Sequence, residues 1–303
     1  MRLIFAGTPD AAVPSLEALA ASGHEIAAVV TRPPAPLGRK RILTPSPVEA
    51  MAVALGLPVV RASRLGPDET TALGSLGADL AVIVAYGGLV KEPLLSAPRL
   101  GWINLHFSLL PRWRGAAPVQ RAVIAGDTET GVEVFQLETG LDTGPVLGSE
   151  TVAIGALETA GHLLARLAPI GARVLAQVVD ELAAGTAIAV AQEGGPTAAP
   201  KLELADGRLD WSGPADRVFA RIRGCTPEPG AWTTVGGRRL KVLEAAPARD
   251  VAAPAGSVQR QGARVVVGCG DGALELVQVQ PEGRGAMSAD AWLRGAGTAV
   301  VLA

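Results

Sequence analysis

Asn104 and His106 are the residues whose types and spacing best suit chemistry in this chain. They stand two positions apart in the apolar run at residues 102–106, WINLH, which is typical of a β-strand. Because residues i and i+2 of a strand point to the same face, an amide donor and a titratable imidazole would project side by side where the strand ends. Asp142 lies in a turn bracketed by glycines at 140–144 and could add a carboxylate. Amide, imidazole and carboxylate together suit acyl transfer without a protein nucleophile.

Each group has a definite use when an amine attacks a formyl carbon. Asn104 can donate to the carbonyl oxygen as negative charge grows there, and removing one such donor typically costs about 10²–10³ in rate. His106 can donate as the imidazolium or carry away the amine proton, a step that usually contributes about 10²–10⁴. Asp142 would favour the charged imidazole and raise its pKa, or hold a proton-carrying water.

The same residues have structural explanations when each is taken alone. Asn104 and His106 could simply be hydrogen-bonded polar residues at a strand end, and Asp142 could be a turn former. Their joint placement favours chemistry, because the crevice of a doubly wound fold lies at the carboxyl ends of its strands. His24, after a helix end, and His162, on a helix, are interpreted as structural or solvated.

The first half of the chain alternates between strands and helices, and these elements must position the residues above. Strands are predicted at residues 3–6, 26–31, 59–61, 80–85, 102–106 and 132–137, and helices at 10–22, 48–55, 67–76 and 117–125. A long helical stretch follows at 158–183, with a break near Pro169 left open. The alternation predicts an α/β fold with a doubly wound, Rossmann-like, mostly parallel sheet.

After about residue 185 the pattern changes to turns and short strands. Residues 186–206 include a glycine- and proline-rich stretch and predict a linker. Beyond a helix at 215–223, hairpins at 232–243 and 257–267 and a strand at 273–280 predict a small OB-like β-barrel. We therefore expect a catalytic domain at 1–185, the linker at 186–206 and a barrel domain at 207–303, which suits a chain of 303 residues.

Composition argues against several classes of protein. No window approaches 18 uninterrupted apolar residues, so no membrane span is expected. Cys225 and Cys269 lie 44 residues apart, which fits neither a disulfide framework nor a zinc ligand set and indicates reduced thiols in the cytoplasm. The first turn has Gly7 but lacks the other two glycines of a dinucleotide fingerprint, which disfavours a nicotinamide cofactor.

Local basic clusters, rather than overall charge, indicate an anionic partner. The net charge is −2, with only +2 in residues 206–303. Residues 31–47 contain five prolines, no acidic residue and four cations: Arg32, Arg39, Lys40 and Arg41. A proline-stiffened cationic loop would meet phosphates at low ordering cost, although a solvated loop tip would have the same composition.

The run NLHFSLLPRWRGAAPVQ at 104–120, together with GLDTGPVL from residue 140, resembles the folate-dependent formyltransferases. The segments FAGTPD at the start, TPSPVEA from residue 44, VAYGGLV from residue 84, and APKL and RLDW around residues 201 and 211 are similar to the branch of that family that acts on charged initiator tRNA. The resemblance runs over nearly the whole chain, including both predicted domains.

This resemblance implies a reaction and a set of residues. The reaction is transfer of a formyl group from 10-formyltetrahydrofolate, without a metal, to the α-amino group of methionyl-initiator tRNA, by a monomer in the bacterial cytoplasm. The implied catalytic residues are Asn104, His106 and Asp142. The implied folate site is lined by Ser108, Leu109, Leu110 and Pro111, with the backbone at Tyr86, Gly87 and Leu89 near the pterin. The implied tRNA contacts are Arg32, Arg39, Lys40 and Arg41, in a loop that departs from the family pattern by lacking its acidic residue and one glycine.

Two other functions stay open at this point. A folate-dependent formyltransferase acting on a small amine, such as glycinamide ribonucleotide or an amino-sugar nucleotide, would use the same three catalytic residues. Such an enzyme would need neither the basic loop nor a second domain. A noncatalytic tRNA-binding protein would not need Asn104, His106 and Asp142 to converge in one cleft.

Overall fold

The computed structural model describes residues 1–38, 40–248, 250–297 and 300–303. The chain forms two compact units, and each unit is made of three segments that are separate in the sequence. Unit 1 comprises residues 1–118, 130–152 and 164–199, and unit 2 comprises residues 119–129, 153–163 and 200–303.

Unit 1 is built on a seven-stranded mixed sheet with the strand order β5-β2-β1-β6-β7-β8-β9. The five strands from β5 to β7 are parallel, and β8 runs antiparallel to β7. Continuous burial of the central strand β6 follows from its apolar sequence LAVIV, as expected where both faces of a sheet are covered. The strands of unit 1, including a separate hairpin of β3 and β4, are β1 (Arg2–Gly7), β2 (Glu25–Thr31), β3 (Ala35–Leu37), β4 (Ile42–Thr44), β5 (Val59–Arg61), β6 (Leu80–Val84), β7 (Trp102–His106), β8 (Glu129–Gln136) and β9 (Val146–Ala153).

Helices connect these strands and begin at recognisable sequence signals. Ser46 caps the second helix, where its hydroxyl accepts a hydrogen bond from the Glu49 amide at 3.0 Å, and a proline occupies the first turn. The helices in the first two thirds of the chain are α1 (Val13–Ala20), preceded by a 3-10 turn at Asp10–Ala12, α2 (Pro47–Ala54), α3 (Pro67–Gly74), α4 (Pro118–Ala125) and α5 (Ala160–Ala184).

Helix α5 is continuous through Pro169, so the break that the sequence left open does not occur. Its 25 residues are long and apolar enough to cross a membrane by length and composition alone, but half of its apolar window is buried inside the protein. That burial is typical of a core helix, whose apolar face packs against a sheet.

Unit 2 is an antiparallel sheet with the order β10-β11-β14-β13-β12, in which β15 pairs with β14. The backbone of residues 300–303 joins the two edges: Val300 and Leu302 hydrogen-bond to residues 256–258 beside β12, and Ala303 exchanges two bonds with Thr234 of β10. The sheet therefore closes into a barrel. The elements of unit 2 are α6 (Ala215–Gly224), β10 (Ala231–Val235), β11 (Arg238–Pro247), β12 (Val258–Gln261), β13 (Arg264–Gly268), β14 (Ala273–Pro281), β15 (Met287–Ser288) and α7 (Ala289–Ala296), with a 3-10 turn at Leu204–Gly207 before them.

The predicted fold class is confirmed, with local differences. The sequence indicated a loop at residues 31–47, where the structure has the β3–β4 hairpin, and it did not predict β9, β15 or α7. The strand predicted at 132–137 exists as β8, but it is antiparallel to its neighbour. Residues 186–199, within the predicted linker, are hydrogen-bonded inside unit 1 through Val190, Thr197 and Ala199.

Candidate active site

A cavity of about 530 Å³ lies in unit 1 beside the ends of β6 and β7. This volume is within the range of small-molecule sites, about 300–1,000 Å³. The wall combines apolar side chains with a few polar groups, as ligand sites usually do. Among the lining residues are Ile83, Tyr86, Gly87, Leu89, Val90, Asn104, His106, Leu137, Leu141 and Asp142.

The wall formed by residues 85–88 depends on unusual backbone conformations. Ala85 and Gly87 have φ angles of 49° and 74°. Gly88 has no room for a side chain, because a Cβ atom there would overlap the Tyr86 ring. Tyr86 is buried and donates its hydroxyl to the Ala62 carbonyl at 2.7 Å, so its ring is fixed beneath the loop. The loop therefore offers the cavity a backbone of defined shape.

His106 is buried at the end of β7, and a hydrogen-bond partner shows which of its ring nitrogens carries the proton. Its Nε2 lies 2.9 Å from the carbonyl oxygen of Trp113, which can only accept, so Nε2 carries the proton. The other nitrogen, Nδ1, lies 3.9 Å from Oδ2 of Asp142. Burial lowers the pKa of His106 below its ordinary value, and the Asp142 carboxylate and the Trp113 carbonyl oppose this only in part. The sequence-based expectation of a raised histidine pKa is wrong, because desolvation outweighs the nearby charge.

Asp142 reaches the imidazole from a strained turn. It is 7% exposed and has a φ of 50°, a conformation that costs a non-glycine residue roughly 1–2 kcal/mol. Its Oδ2 accepts a hydrogen bond from the Gly115 amide at 2.7 Å. Gly115 has a φ of 126°, and a Cβ atom at that position would lie 2.7 Å from the Ala199 carbonyl oxygen. Only glycine therefore brings this backbone amide to the carboxylate.

Asn104 is half-buried on β7 and lines the same cavity. Its side chain makes no hydrogen bond to any other part of the chain that the structure describes. Both amide hydrogens are therefore available to a ligand. The structure thus brings Asn104, His106 and Asp142 to one cavity, together with Tyr86, Gly87 and Leu89.

Residues 108–111, by contrast, are not among the residues that line this cavity. Ser108 is fully buried, and its hydroxyl donates to the Arg112 carbonyl at 2.7 Å. The Leu110 amide donates to Oε2 of Glu133 at 2.7 Å. A direct folate contact by Ser108, Leu109, Leu110 and Pro111 stays a prediction, and their observed contacts serve to shape the loop after β7.

Glu133 is a buried carboxyl group next to the site that the sequence did not reveal. It lies on β8 directly opposite His106 and is 7% exposed. Desolvation raises its pKa to about 7, although the Leu110 hydrogen bond opposes the shift. The side chain is therefore largely protonated below neutral pH in the folded protein.

Replacing Glu133 with glutamine is expected to remove a pH-dependent loss of stability. In the unfolded chain this carboxyl ionises above its ordinary pKa of 4.5, whereas in the folded protein it keeps its proton until about pH 7. The folded state binds the extra proton, so the wild type loses stability as the pH rises through that window, by about 3 kcal/mol at most. Denaturant unfolding at pH 4.5 and pH 7.5 measures the effect. A stability difference between Glu133→Gln and wild type that is equal at both pH values would contradict it.

The predicted tRNA-binding cations lie in and beside the β3–β4 hairpin. Lys40 and Arg41 are exposed at its turn, whereas Arg39 lies outside the described residues. Arg32 donates from Nη2 to the Gly87 carbonyl at 3.2 Å, which places it against the cavity wall. The hairpin also exposes three large apolar side chains, those of Leu37, Ile42 and Leu43, at 67%, 62% and 68%.

Across the described ranges, no three His, Cys, Asp or Glu side chains are grouped so that they could hold a metal ion. One residue that sequence reasoning missed, Gln192, lies beside Asp142. The Gln192 side-chain amide donates to the Asp142 carbonyl at 2.9 Å and to the Gly144 carbonyl at 2.8 Å, while Arg114 donates to its Oε1 at 2.6 Å. A glutamine inside a predicted linker carries no local signal of such a role.

The chain thus has a doubly wound unit, with a cavity lined by an amide, an imidazole and a carboxylate, and a second unit that forms a small barrel, as two-unit group transferases of the formyl transferase type have. The family model described as formyl transferase matches residues 1–179, and the model described as formyl transferase, C-terminal domain, matches residues 201–297. The chain therefore belongs to the formyl transferase family, and it is an enzyme.

One relative supports this family through its sequence, and two solved structures share the fold. The methionyl-tRNA formyltransferase of Clavibacter sepedonicus is 60% identical over 305 residues, covering 100% of each chain. The N-formyltransferase from Helicobacter canadensis, in complex with folinic acid and dTDP-3-aminofucose, has a TM-score of 0.70 at 15% identity, over 92% of this chain and 98% of that one. The methionyl-tRNA formyltransferase from Clostridium thermocellum has a TM-score of 0.58 at 12% identity, over 94% and 100%.

Proposed function

We propose that this enzyme transfers a formyl group from 10-formyltetrahydrofolate to the α-amino group of methionyl-initiator tRNA. The observation that carries the proposal is the meeting of Asn104, His106 and Asp142 in one cavity of about 530 Å³. Full-length identity of 60% to a methionyl-tRNA formyltransferase supports the choice of acceptor.

The chemistry follows from the protonation states of the site. The amine attacks the formyl carbon, and Asn104 donates N–H to the formyl oxygen as negative charge collects there. Because the pKa of His106 is lowered and Nε2–H is held by Trp113, the unprotonated Nδ1 accepts the proton released by the amine. Asp142, 3.9 Å away, stabilises the imidazolium that results. The proton then passes to the departing folate nitrogen, which balances the reaction.

The folate binds in the cavity with its pterin against residues 86–89. The apolar side chains of Ile83, Val90 and Leu137 suit a flat aromatic ring, and backbone groups at Tyr86 and Gly87 suit its polar edge. The exposed cations Lys40 and Arg41 on the β3–β4 hairpin contact the phosphates of the tRNA acceptor end, as does Arg39.

We assign the first domain, residues 1–185, to catalysis and the OB-like barrel at 207–303 to binding the body of the tRNA. Supporting the second assignment, the guanidinium groups of Arg208 and Arg239 lie 5.9 and 4.7 Å from the ring centre of Trp232. Trp232 is half-buried, and cations beside an aromatic ring are typical of surfaces that bind single-stranded nucleic acid. The enzyme acts as a monomer in the bacterial cytoplasm, where its two free, buried cysteines stay reduced.

One experiment tests the proposal directly. The protein is mixed with 10-formyltetrahydrofolate and either charged initiator tRNA or charged elongator tRNA, and formyl-methionine is measured. Formylation of the initiator species alone is the expected result. A parallel reaction with a dTDP-amino sugar tests the small-amine alternative, and turnover of the sugar without turnover of the tRNA would overturn the proposal.

Removing the cations of the hairpin turn is expected to weaken tRNA binding and its salt dependence. The double variant Lys40→Ala/Arg41→Ala should flatten the log–log plot of affinity against salt by about one to two units, because each phosphate contact contributes about 0.9 to the slope. The matched control is Arg2→Ala/Arg99→Ala, which removes the same charge from two exposed ion pairs of unit 1. Equal slopes for both variants and the wild type would place the hairpin outside the complex.

A further inference from the structure

The Gln192 side chain hydrogen-bonds both to the turn that contains Asp142 and to Arg114. Its Nε2 donates to two backbone carbonyls, of Asp142 at 2.9 Å and of Gly144 at 2.8 Å. Its Oε1 accepts from Arg114, at 2.6 Å from Nη2 and 3.3 Å from Nε. These partners define the orientation of the amide, because carbonyl oxygens only accept and a guanidinium only donates. The side-chain amide thus donates two hydrogen bonds and accepts two, which occupies all of its hydrogen-bonding positions.

The carbonyls of Asp142 and Gly144 belong to the most constrained part of the turn. Asp142 has a φ of 50°, and Gly144 sits so close to the Gln136 carbonyl that a Cβ atom would overlap it. Residues in such conformations persist only where surrounding contacts hold them. Gln192 supplies those contacts from a segment 48–50 residues further along the chain.

The same segment fixes the other side of the imidazole. The Thr197 hydroxyl accepts from the Trp113 amide at 2.8 Å, and the Thr197 carbonyl accepts from the Arg114 amide at 2.9 Å. The Ala199 amide donates to the Arg114 carbonyl at 2.7 Å. Trp113, with a φ of 61°, in turn provides the carbonyl that holds Nε2 of His106. Residues 192–199 therefore brace both the partner of Nε2 and the loop that faces Nδ1.

We propose that Gln192 is a positioning residue for formyl transfer, which acts through Asp142 by holding its carboxylate beside Nδ1 of His106. The inference rests on the proposed function where it is tested by kinetics, but its test by NMR titration needs no substrate. Without the amide, the turn relaxes towards a more favourable backbone conformation and the carboxylate moves away from the ring. A shift of about 1 Å in such a group can cost on the order of 10²-fold in rate.

The kinetic test compares Gln192→Ala with Gln177→Ala in the full chain. Gln177 is the matched control, because its side chain donates only to Glu181 on the surface of α5. We expect kcat to fall about 10- to 100-fold for Gln192→Ala, with KM for both substrates within about twofold of wild type and Gln177→Ala unchanged. If Gln192→Ala does not fold, Gln192→Met keeps the side-chain length and removes both polar groups.

A double-mutant cycle with Asp142→Asn tests whether the two residues act as one unit. Residues in one hydrogen-bonded network have non-additive effects. If Gln192 acts through Asp142, the double variant is no slower than Asp142→Asn alone. Losses that multiply would show that Gln192 acts independently of Asp142, and the proposal would then be rejected.

A readout without substrate separates this inference from the proposed reaction. The chain has three histidines, so the His106 signals can be assigned in an NMR titration by comparison with His106→Asn. The titratable groups facing His106 are Asp142 and, across the β7–β8 pair, the buried Glu133, which is mostly neutral below pH 7. Moving the Asp142 charge away should lower the His106 midpoint in Gln192→Ala by about one unit, and leave it unchanged in Gln177→Ala. An unmoved midpoint in Gln192→Ala overturns the inference, even in an enzyme that formylates some other amine.

Discussion

Asn104→Ala is expected to lower kcat for formyl transfer by about 10²–10³-fold, because it removes a donor aimed at the formyl oxygen. The Asn104 amide lines the cavity and, within the described parts of the chain, has no protein partner that would compete for its hydrogens. The substitution should therefore cost little stability. Single-turnover formylation under saturating folate and tRNA measures the chemical step directly.

Two controls sharpen this prediction. Affinity for charged tRNA should stay within about twofold of wild type, because the donor acts on the charge that develops during the reaction. Asn104 is also the only asparagine in the chain, so selective labelling gives one side-chain amide signal that should shift when folate binds. A single-turnover rate equal to that of the wild type would remove Asn104 from the mechanism.

His106→Asn is expected to lower kcat by about 10²–10⁴-fold, the usual contribution of a positioned general base. In the wild type the neutral imidazole is the active form, so the rate should fall as the pH drops through the His106 pKa. Burial lowers that pKa, and the acid limb should therefore lie below the ordinary histidine value of about 6.5. The variant should have a low rate without this limb.

The matched control is His162→Asn, since His162 is exposed on α5. It should keep the full rate and the full pH profile. An acid limb above pH 6.5 in the wild type would mean that the Asp142 carboxylate raises the His106 pKa by more than burial lowers it. That result would contradict the direction expected from burial. A limb that persists in His106→Asn would assign it to another group.

Much of the fold followed from short-range sequence pattern. The run LAVIV at Leu80–Val84 and the alternation of strands with helices predicted a doubly wound sheet, and that fold class is confirmed. The shared face of Asn104 and His106 followed from the period of a strand, and both line the cavity. Their catalytic roles stay predictions until the variants are measured.

What the sequence did not indicate depends on contacts between distant segments. The pKa of His106 was expected to rise, because a nearby carboxylate is visible in a motif whereas the depth of burial is not. Gln192 reaches Asp142 across 50 residues and Arg114 across 78. The antiparallel direction of β8 depends on the path of the whole chain and not on its own sequence. Local pattern carries no information on any of these three.

The hydrogen bonds from residues 192–199 to the Asp142 turn and the loop after β7 affect which chimaeras between this enzyme and its relatives should be active. A crossover at residue 185, where the sequence pattern changes, would join one parent's Asp142 turn to another parent's Gln192 and Thr197. Chimaeras joined after residue 199 would inherit the loop and its support from the same ancestor. We therefore expect a chimaera joined after residue 199 to keep more activity than one joined at residue 185.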